Sequence, residues 1–128
     1  MAPSTLDEAL SFELTDLGAE RAQAQLTVDD RHRQPLGLVH GGVYAALAES
    51  LASSATAAAV AADGLIALGL SNATNFLRPV ARGLVRAHAE RIHRGRTTWV
   101  WDVRFTGEDG HLCATSRVTV AVRPGEAS

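Results

Sequence analysis

The sequence predicts an α+β fold in which a curved antiparallel sheet wraps around one long central helix. Residues 43–62 contain no Gly, Pro, Lys or Arg, and their apolar side chains recur on every face, which is typical of a helix buried all round. Four later segments are apolar or alternate in polarity, and their short connections favour antiparallel pairing. The length of 128 residues predicts one domain over residues 1–128, with an ordered core of about 10–124.

The composition points to a small molecule as the partner. The formal net charge is −2, and without a basic stripe or a block of like charges nothing favours nucleic acid or an anionic membrane. The single cysteine, Cys113, cannot form an internal disulfide and is expected in the core, because it lies in an alternating apolar stretch. No signal-like stretch precedes the domain, so we expect a reducing, cytoplasmic location.

The segment before the helix predicts two short strands. Residues 1–9 are expected to form at most one helical turn, and regular structure is expected to begin near Leu10. Residues 11–17 and 21–28 alternate weakly in polarity, and Gly18 separates them. This pattern predicts two strands joined by a turn.

A charged connector, residues 29–33, leads towards the helix, and its His32 is expected to be a solvated loop residue. The helix is expected to begin at Gly41 and to end at Asp63-Gly64, where glycine can adopt the positive φ that a C-cap often requires. A helix of about 20 residues would be about 30 Å long, enough to cross a membrane. The abundance of Ala and Ser and the acid near its middle argue against a membrane span.

Four strands are expected after the helix. They are predicted over residues 65–77, 84–93, 98–105 and 112–122. Asp109-Gly110 marks a hairpin turn between the last two strands. Phe76, Trp99 and Trp101 are expected to be core residues rather than an aromatic cage. One small sheet cannot cover a helix that is apolar on all sides, so a second copy of the chain is expected to cover the rest.

Glu49 is the only charged residue in the helix and therefore most needs an explanation. A buried acid loses hydration worth several kcal/mol unless something compensates, and a paired structural carboxylate is one alternative. Gly41 and Gly42 offer free N–H groups at the positive end of the helix dipole, where a negatively charged oxygen can bind. Ser53 follows Glu49 at i+4, so donors, carboxylate and hydroxyl are expected on one face.

An ordered series of motifs runs from residue 34 to residue 124. The motifs are Gln34, Gly37-Leu38-Val39-His40-Gly41-Gly42, Ala46-Leu47-Ala48-Glu49, Ser71-Asn72, Phe76, Arg78-Pro79-Val80, Arg91-Ile92-His93, Thr97-Thr98-Trp99, Trp101-Asp102-Val103, Leu112-Cys113-Ala114 and Ala121-Val122-Arg123-Pro124. In order and spacing the series resembles the hotdog-fold acyl-CoA thioesterases, in particular the 4-hydroxybenzoyl-CoA thioesterases of the Arthrobacter type. The resemblance implies the hotdog fold, hydrolysis of an aromatic acyl-CoA and a homotetramer built as a dimer of dimers.

The resemblance also implies a role for each residue of the catalytic segment. The matching Gly41 N–H polarises the thioester carbonyl, and the matching Glu49 is the nucleophile or the general base. Gln34 matches a supporting glutamine, and Ser53 stands where the family has a hydroxyl residue that could orient water or the carboxylate. His40 is expected to position the loop rather than to transfer a proton.

Coenzyme A is expected as part of the substrate and product, and no separate cofactor is predicted. Arg78 and Thr97 match positions that the family uses near the nucleotide, whereas Arg96 replaces the family's serine, so the phosphate contacts are expected to be rearranged. The acyl group is expected beside Glu49 and Ser53, facing the strand of a neighbouring copy. The other residues predicted to bind substrate are Gly42, Ser50, Ser54, Asn72 and Asn75.

The sequence leaves two other functions open. A hotdog 3-hydroxyacyl dehydratase needs an acid and a histidine, but the glycine pair argues against it. A non-catalytic acyl-CoA-binding module need not keep an acid, so Glu49 together with Gln34 and Ser53 favours the enzyme, as does the lack of a DNA-binding segment. The remaining histidines are too scattered along the chain for a metal site, and no metal is expected.

Overall fold

The structure is a computed structural model that describes residues 5–125. Within these residues the helices and strands are α1 (Leu6–Ala9), β1 (Glu13–Leu17), β2 (Arg21–Val28), α2 (Gly41–Val60), β3 (Leu65–Phe76), β4 (Gly83–Arg94), β5 (Thr98–Thr106) and β6 (Leu112–Pro124). A 3-10 turn, Asp30–His32, precedes α2, and a second one, Ala61–Asp63, continues it. Gly64 follows with a φ of 72°, as the predicted C-cap requires.

The six strands form one antiparallel sheet in the order β1-β2-β4-β5-β6-β3, and α2 packs on one face of it. The predicted antiparallel sheet around a single long helix is therefore confirmed. β1 and β3 are the two edges of the sheet. β3 follows α2 after the turn at Gly64 and runs back along the helix, so it ends at Phe76, beside Gly41 at the N-terminus of α2.

A buried hydrogen bond joins α2 to the sheet. Trp101 Nε1 donates to Thr56 Oγ1 at 2.9 Å, and the same hydroxyl donates to the Ala52 carbonyl oxygen at 2.8 Å. These polar atoms can be buried because each of them has a partner. Trp99 and Trp101 belong to the core, as the alternation of β5 predicted, and so does Cys113.

A single chain leaves one side of α2 open, as expected for a helix that one small sheet cannot cover alone. One side of the helix packs on the sheet, while a second side carries exposed or half-buried residues, including Gly42, Ala46, Glu49 and Ser53. By length and composition the helix could cross a membrane, but packing on the sheet also accounts for its apolar side. The open side has the small residues that a second copy of the chain could cover.

The one helical turn that the sequence allowed before Leu10 is present: Leu6–Ala9 forms α1, which Thr5 caps by accepting a hydrogen bond from Glu8 N–H at 3.2 Å. A further expectation is corrected. Phe76 is not a core residue, since 60% of its surface is exposed at the end of the edge strand β3. The tail predicted to be disordered after Pro124 lies, apart from Gly125, outside the described residues.

Candidate active site

His40 caps α2 and determines which amide at this end of the helix stays free. Its Nδ1 accepts a hydrogen bond from Gly42 N–H at 2.8 Å, and its carbonyl oxygen accepts from Val43 N–H at 2.9 Å. Within residues 5–125 the Gly41 N–H has no hydrogen-bond acceptor. The expectation of a free N–H is therefore wrong for Gly42, whereas Gly41 offers its N–H to an oxygen at the positive end of the dipole.

The imidazole of His32 holds the segment that precedes α2. His32 is 0% exposed; its Nδ1 accepts from Asp29 N–H at 2.9 Å, and its Nε2 donates to the Leu10 carbonyl oxygen at 2.6 Å. Its own carbonyl oxygen accepts from His40 N–H at 2.7 Å. The expectation of a solvated histidine is wrong, and the spacing of Asp29 and His32, that of a capping box, is the sequence signal that was missed.

A tight turn places Gln34 near Gly41. Gln34 N–H donates to the Leu38 carbonyl oxygen at 2.7 Å, and the side-chain oxygen of Gln34 accepts from the Leu36 N–H within the same turn. Gln34 and Gly41 line a cavity of about 370 Å³, which also includes Arg78. The structure thus brings together three of the residues that the sequence placed in the site.

Glu49 lies in the middle of the open side of α2. It is exposed in a single chain, whereas the sequence predicted a buried acid. Its carboxyl group lies against β3. A Cβ added to Gly69 would be only 3.2 Å from Glu49 Cδ. Gly69 therefore allows the carboxyl group to approach the strand closely. Gly69 was not predictable as a site residue, since a lone glycine in a strand indicates only a bulge or a close approach.

Ser53 lies one turn after Glu49, as predicted, and its hydroxyl has an unusual environment. The Oγ atom is buried and, within residues 5–125, has no hydrogen-bond partner. An unpaired buried hydroxyl costs about 1–3 kcal/mol, so packing of α2 alone does not explain a serine at this position. Ser54, the next residue, is half-buried on α2.

Three residues predicted to bind the acyl group have other roles or places in the chain. Ser50 Oγ donates to Asp7 Oδ1 of α1 at 2.6 Å. Asn72 Nδ2 donates to the Ala45 carbonyl oxygen at 2.8 Å and so fastens β3 to α2. Asn75 lines a different cavity on the side of the sheet away from α2, because successive strand residues point to opposite faces. The chain does not bring these three side chains together.

The residues predicted to bind coenzyme A lie at opposite ends of the sheet. Arg78 comes just after β3, whose end is level with Phe105 of β5, because Phe76 and Phe105 both pair with Ala114 of β6. Arg96 and Thr97 come just before Thr98, at the opposite end of β5. Seven strand residues separate these ends, a distance of about 23 Å. One chain therefore does not assemble the predicted nucleotide site.

Two buried ionisable groups near the N-terminus of α2, the Tyr44 phenol and the Cys113 thiol, have raised pKa values. Burial raises the pKa of the Tyr44 phenol and also raises the pKa of the Cys113 thiol, whose Sγ donates to the Phe105 carbonyl oxygen at 3.3 Å. A thiol with a raised pKa is a poor nucleophile near neutral pH. Within residues 5–125, no three His, Cys, Asp or Glu side chains lie close enough together to hold a metal ion.

Known sequences and structures are similar to this chain over most of its length. A sequence model of the thioesterase superfamily matches residues 36–114. The proofreading thioesterase EntH of Cronobacter turicensis is 40% identical over 118 residues, which cover 92% of this chain and 85% of that protein. The 1,4-dihydroxy-2-naphthoyl-CoA hydrolase of Listeria monocytogenes is 38% identical over 118 residues, which cover 92% of this chain and 95% of that protein.

A solved structure shares the arrangement of α2 on the antiparallel sheet. The crystal structure of a mutant of thioesterase PA1618 from Pseudomonas aeruginosa superposes with a TM-score of 0.89 at 39% sequence identity. The match covers 94% of this chain and 87% of that chain. The likeness therefore extends over almost the whole chain.

Proposed function

Because this chain belongs to the thioesterase superfamily of hotdog fold and is a thioester hydrolase, we propose that it hydrolyses an aromatic acyl-CoA to the free acid and CoA. The proposed class is that of the Arthrobacter-type 4-hydroxybenzoyl-CoA thioesterases. The observation that carries the proposal is the free Gly41 amide at the N-terminus of a helix whose open side presents Glu49, one turn before Ser53, whose buried hydroxyl has no partner within residues 5–125. The Listeria relative is named for an aromatic acyl-CoA, which supports the aromatic class.

The chemistry follows from these three groups. The thioester oxygen accepts a hydrogen bond from Gly41 N–H, which stabilises the negative charge that develops on that oxygen. Glu49 then acts in one of two ways. Its carboxylate attacks the carbonyl carbon and expels the CoA thiolate, and water hydrolyses the resulting anhydride; or it takes a proton from a water molecule that attacks the same carbon. In both routes the Ser53 hydroxyl orients the carboxylate or the water.

The site needs two copies of the chain. Eight residues separate Gly41 from Glu49, so their backbones lie about 12 Å apart along α2. The reacting atoms must approach to about 3–3.5 Å, and a thioester bound at Gly41 would therefore not reach the carboxylate of the same chain. We infer that Gly41, Gln34 and Arg78 of one copy face Glu49 and Ser53 of the other.

The same division applies to the nucleotide. Arg78 lies at the Gly41 end of a chain, whereas Arg96 and Thr97 lie at the other end of the sheet. In two antiparallel copies related by a two-fold axis, the Arg78 end of each chain would lie beside the Arg96 end of the other. Arg78 and the pair of Arg96 and Thr97 could then bind the phosphates of one coenzyme A from different chains.

The exposed edge of the sheet supports the assembly of at least a dimer. β3 is a 12-residue edge strand, and its Ile66, Leu68 and Leu70 are 40%, 48% and 55% exposed. A long apolar edge is prone to pair with another strand, so an isolated chain would be a poor monomer. We propose a homo-oligomer, as a dimer of dimers, in which β3 and the open side of α2 are covered.

The function is tested by thiol release from a panel of acyl-CoAs. Benzoyl-type thioesters are expected to exceed octanoyl- and palmitoyl-CoA in kcat/KM by at least about tenfold, which corresponds to about 1.4 kcal/mol in transition-state binding. A preference for octanoyl- or palmitoyl-CoA would overturn the aromatic assignment and leave the thioester hydrolysis intact.

A further inference from the structure

The aromatic ring of Phe76 lies directly on Gly41. A Cβ at position 41 would be 2.5 Å from Phe76 Cζ and 2.8 Å from its Cε1, so the ring occupies the space that any side chain would need. Only glycine at position 41 allows this contact. The ring therefore lies beside the amide that is proposed to hold the thioester oxygen.

Phe76 is also a wall of the cavity that begins at Gly41. This cavity of about 370 Å³ has apolar walls from Leu38, Tyr44 and Val80 as well as from Phe76. The Phe76 and Tyr44 rings are tilted, with their centroids 6.3 Å apart. The volume is within the range of pockets that bind small molecules.

The backbone on either side of the ring is anchored, although the Phe76 ring itself is exposed. The N–H groups of Leu77 and Arg78 both donate to the Cys113 carbonyl oxygen, at 2.9 and 3.2 Å. These bonds anchor the end of β3 to β6, and they place the backbone of Phe76 beside the cavity that its ring lines. An aromatic ring that is 60% exposed contributes less to the core than a buried one, so its placement calls for a second explanation.

We propose that Phe76 is a specificity-determining residue whose ring forms the wall on which the acyl group packs while the thioester oxygen binds Gly41 N–H. The occupant is the aromatic acyl group of the substrate, because an exposed ring that lies against Gly41 and lines the cavity offers an offset or edge-to-face partner to a second ring. A short aliphatic acyl group would not reach enough of that surface to gain from it. This inference rests on the proposed function, and it adds the residue that distinguishes the acyl groups.

The test compares Phe76→Ala, Phe76→Leu and the wild type on benzoyl-CoA and on propionyl-CoA. Phe76→Ala is expected to lower kcat/KM for benzoyl-CoA by about 10- to 100-fold and that for propionyl-CoA by less than about threefold. Phe76→Leu keeps apolar bulk without an aromatic face, and it is expected to lower the benzoyl-to-propionyl ratio by about threefold to tenfold. Ile92→Ala is the control, because Ile92 is 48% exposed and does not line the cavity.

Melting temperature and light scattering of each variant show whether the fold and assembly are kept. If Phe76→Ala does not fold, the ratio measured for Phe76→Leu decides. A benzoyl-to-propionyl ratio equal to that of the wild type, or an equal fall for both substrates, would overturn the role of Phe76. A wild type that does not hydrolyse benzoyl-CoA would instead overturn the proposed function, so the two failures are distinguishable.

Discussion

The Nδ1 atom of His40 accepts the N–H of Gly42 at 2.8 Å, and this bond assigns the histidine to the cap of α2. A ring nitrogen that accepts this hydrogen bond cannot take up a proton without losing the cap. His40 therefore fits the positioning role better than proton transfer, and the amide of Gly41 stays available for the substrate.

Replacing His40 separates capping from proton transfer. His40→Ala is expected to lower the free energy of unfolding by about 1 kcal/mol, because the Gly42 N–H loses its acceptor. His40→Asn restores a capping oxygen, and it is expected to recover most of the stability and most of kcat. Urea denaturation and thiol release measure the two quantities. An Asn variant as inactive as the Ala variant would assign proton transfer to His40.

Replacing Ser53 tests whether its unpaired hydroxyl acts on the substrate. Ser53→Ala is expected to lower kcat by about 10- to 100-fold if the hydroxyl orients a reactant. The free energy of unfolding should stay constant or rise, because the variant removes a buried polar atom that has no partner. Ser53→Thr keeps the hydroxyl and should retain most activity. An unchanged kcat in Ser53→Ala would make Ser53 a helix-packing residue only.

His32 is expected to matter for stability. His32→Ala leaves the Asp29 N–H and the Leu10 carbonyl oxygen without partners and opens a cavity, so the free energy of unfolding should fall by about 2–5 kcal/mol. His111→Ala, at an exposed position, is the matched control and should change it by less than about 0.5 kcal/mol. Urea denaturation of both variants checks this, and similar effects would contradict the buried role.

Assembly can be measured independently of activity. Light scattering at low micromolar concentration is expected to show a dimer or a larger species and no monomer. Leu68→Glu puts a charge on the exposed edge β3 and should shift the equilibrium towards monomer. Leu36→Glu, at an 83% exposed loop position, should leave the mass unchanged. A wild-type monomer at this concentration would contradict a site made of two copies.

The local sequence pattern was sufficient to predict the strands and the ends of α2. The strict alternation from Trp99 to Phe105 predicted which side of β5 is buried, because a half-buried strand has a period of two. The positive φ of Gly64 was predictable for a similar local reason. The catalytic segment was recognised from its order and spacing rather than from its periodicity.

Long-range packing could not be predicted in this way. The burial of His32 could not be predicted from local pattern alone, because one of its partners, the Leu10 carbonyl oxygen, lies 22 residues earlier in the chain. The exposure of Glu49 and Phe76 depends on how much of α2 and β3 one sheet can cover, and composition does not give that quantity. The shared helix face suggested that Gly41 and Glu49 act together within one chain, whereas the rise of the helix separates them by about 12 Å.

The central claim is that Glu49 of one copy acts on a thioester held by Gly41 of another. Glu49→Gln keeps size and removes the carboxylate, so it should nearly abolish turnover while acyl-CoA binding stays largely intact. Gly41→Pro removes the N–H at the first position of the helix, where proline is tolerated, and His40, with a ψ of 131°, has the conformation that a residue before proline needs. Gly41→Ala is the control, because it also displaces Phe76 but keeps the N–H.

The most direct measurement is the activity of mixed oligomers of Glu49→Gln and Gly41→Pro, coexpressed in equal amounts and assayed by thiol release. Half of the dimers would be mixed, and each mixed dimer would have one intact site of two, so about one quarter of the wild-type activity is expected from two-fold symmetry. Each variant alone should be almost inactive. Mixed oligomers that are as inactive as the separate variants would contradict a site shared between two chains.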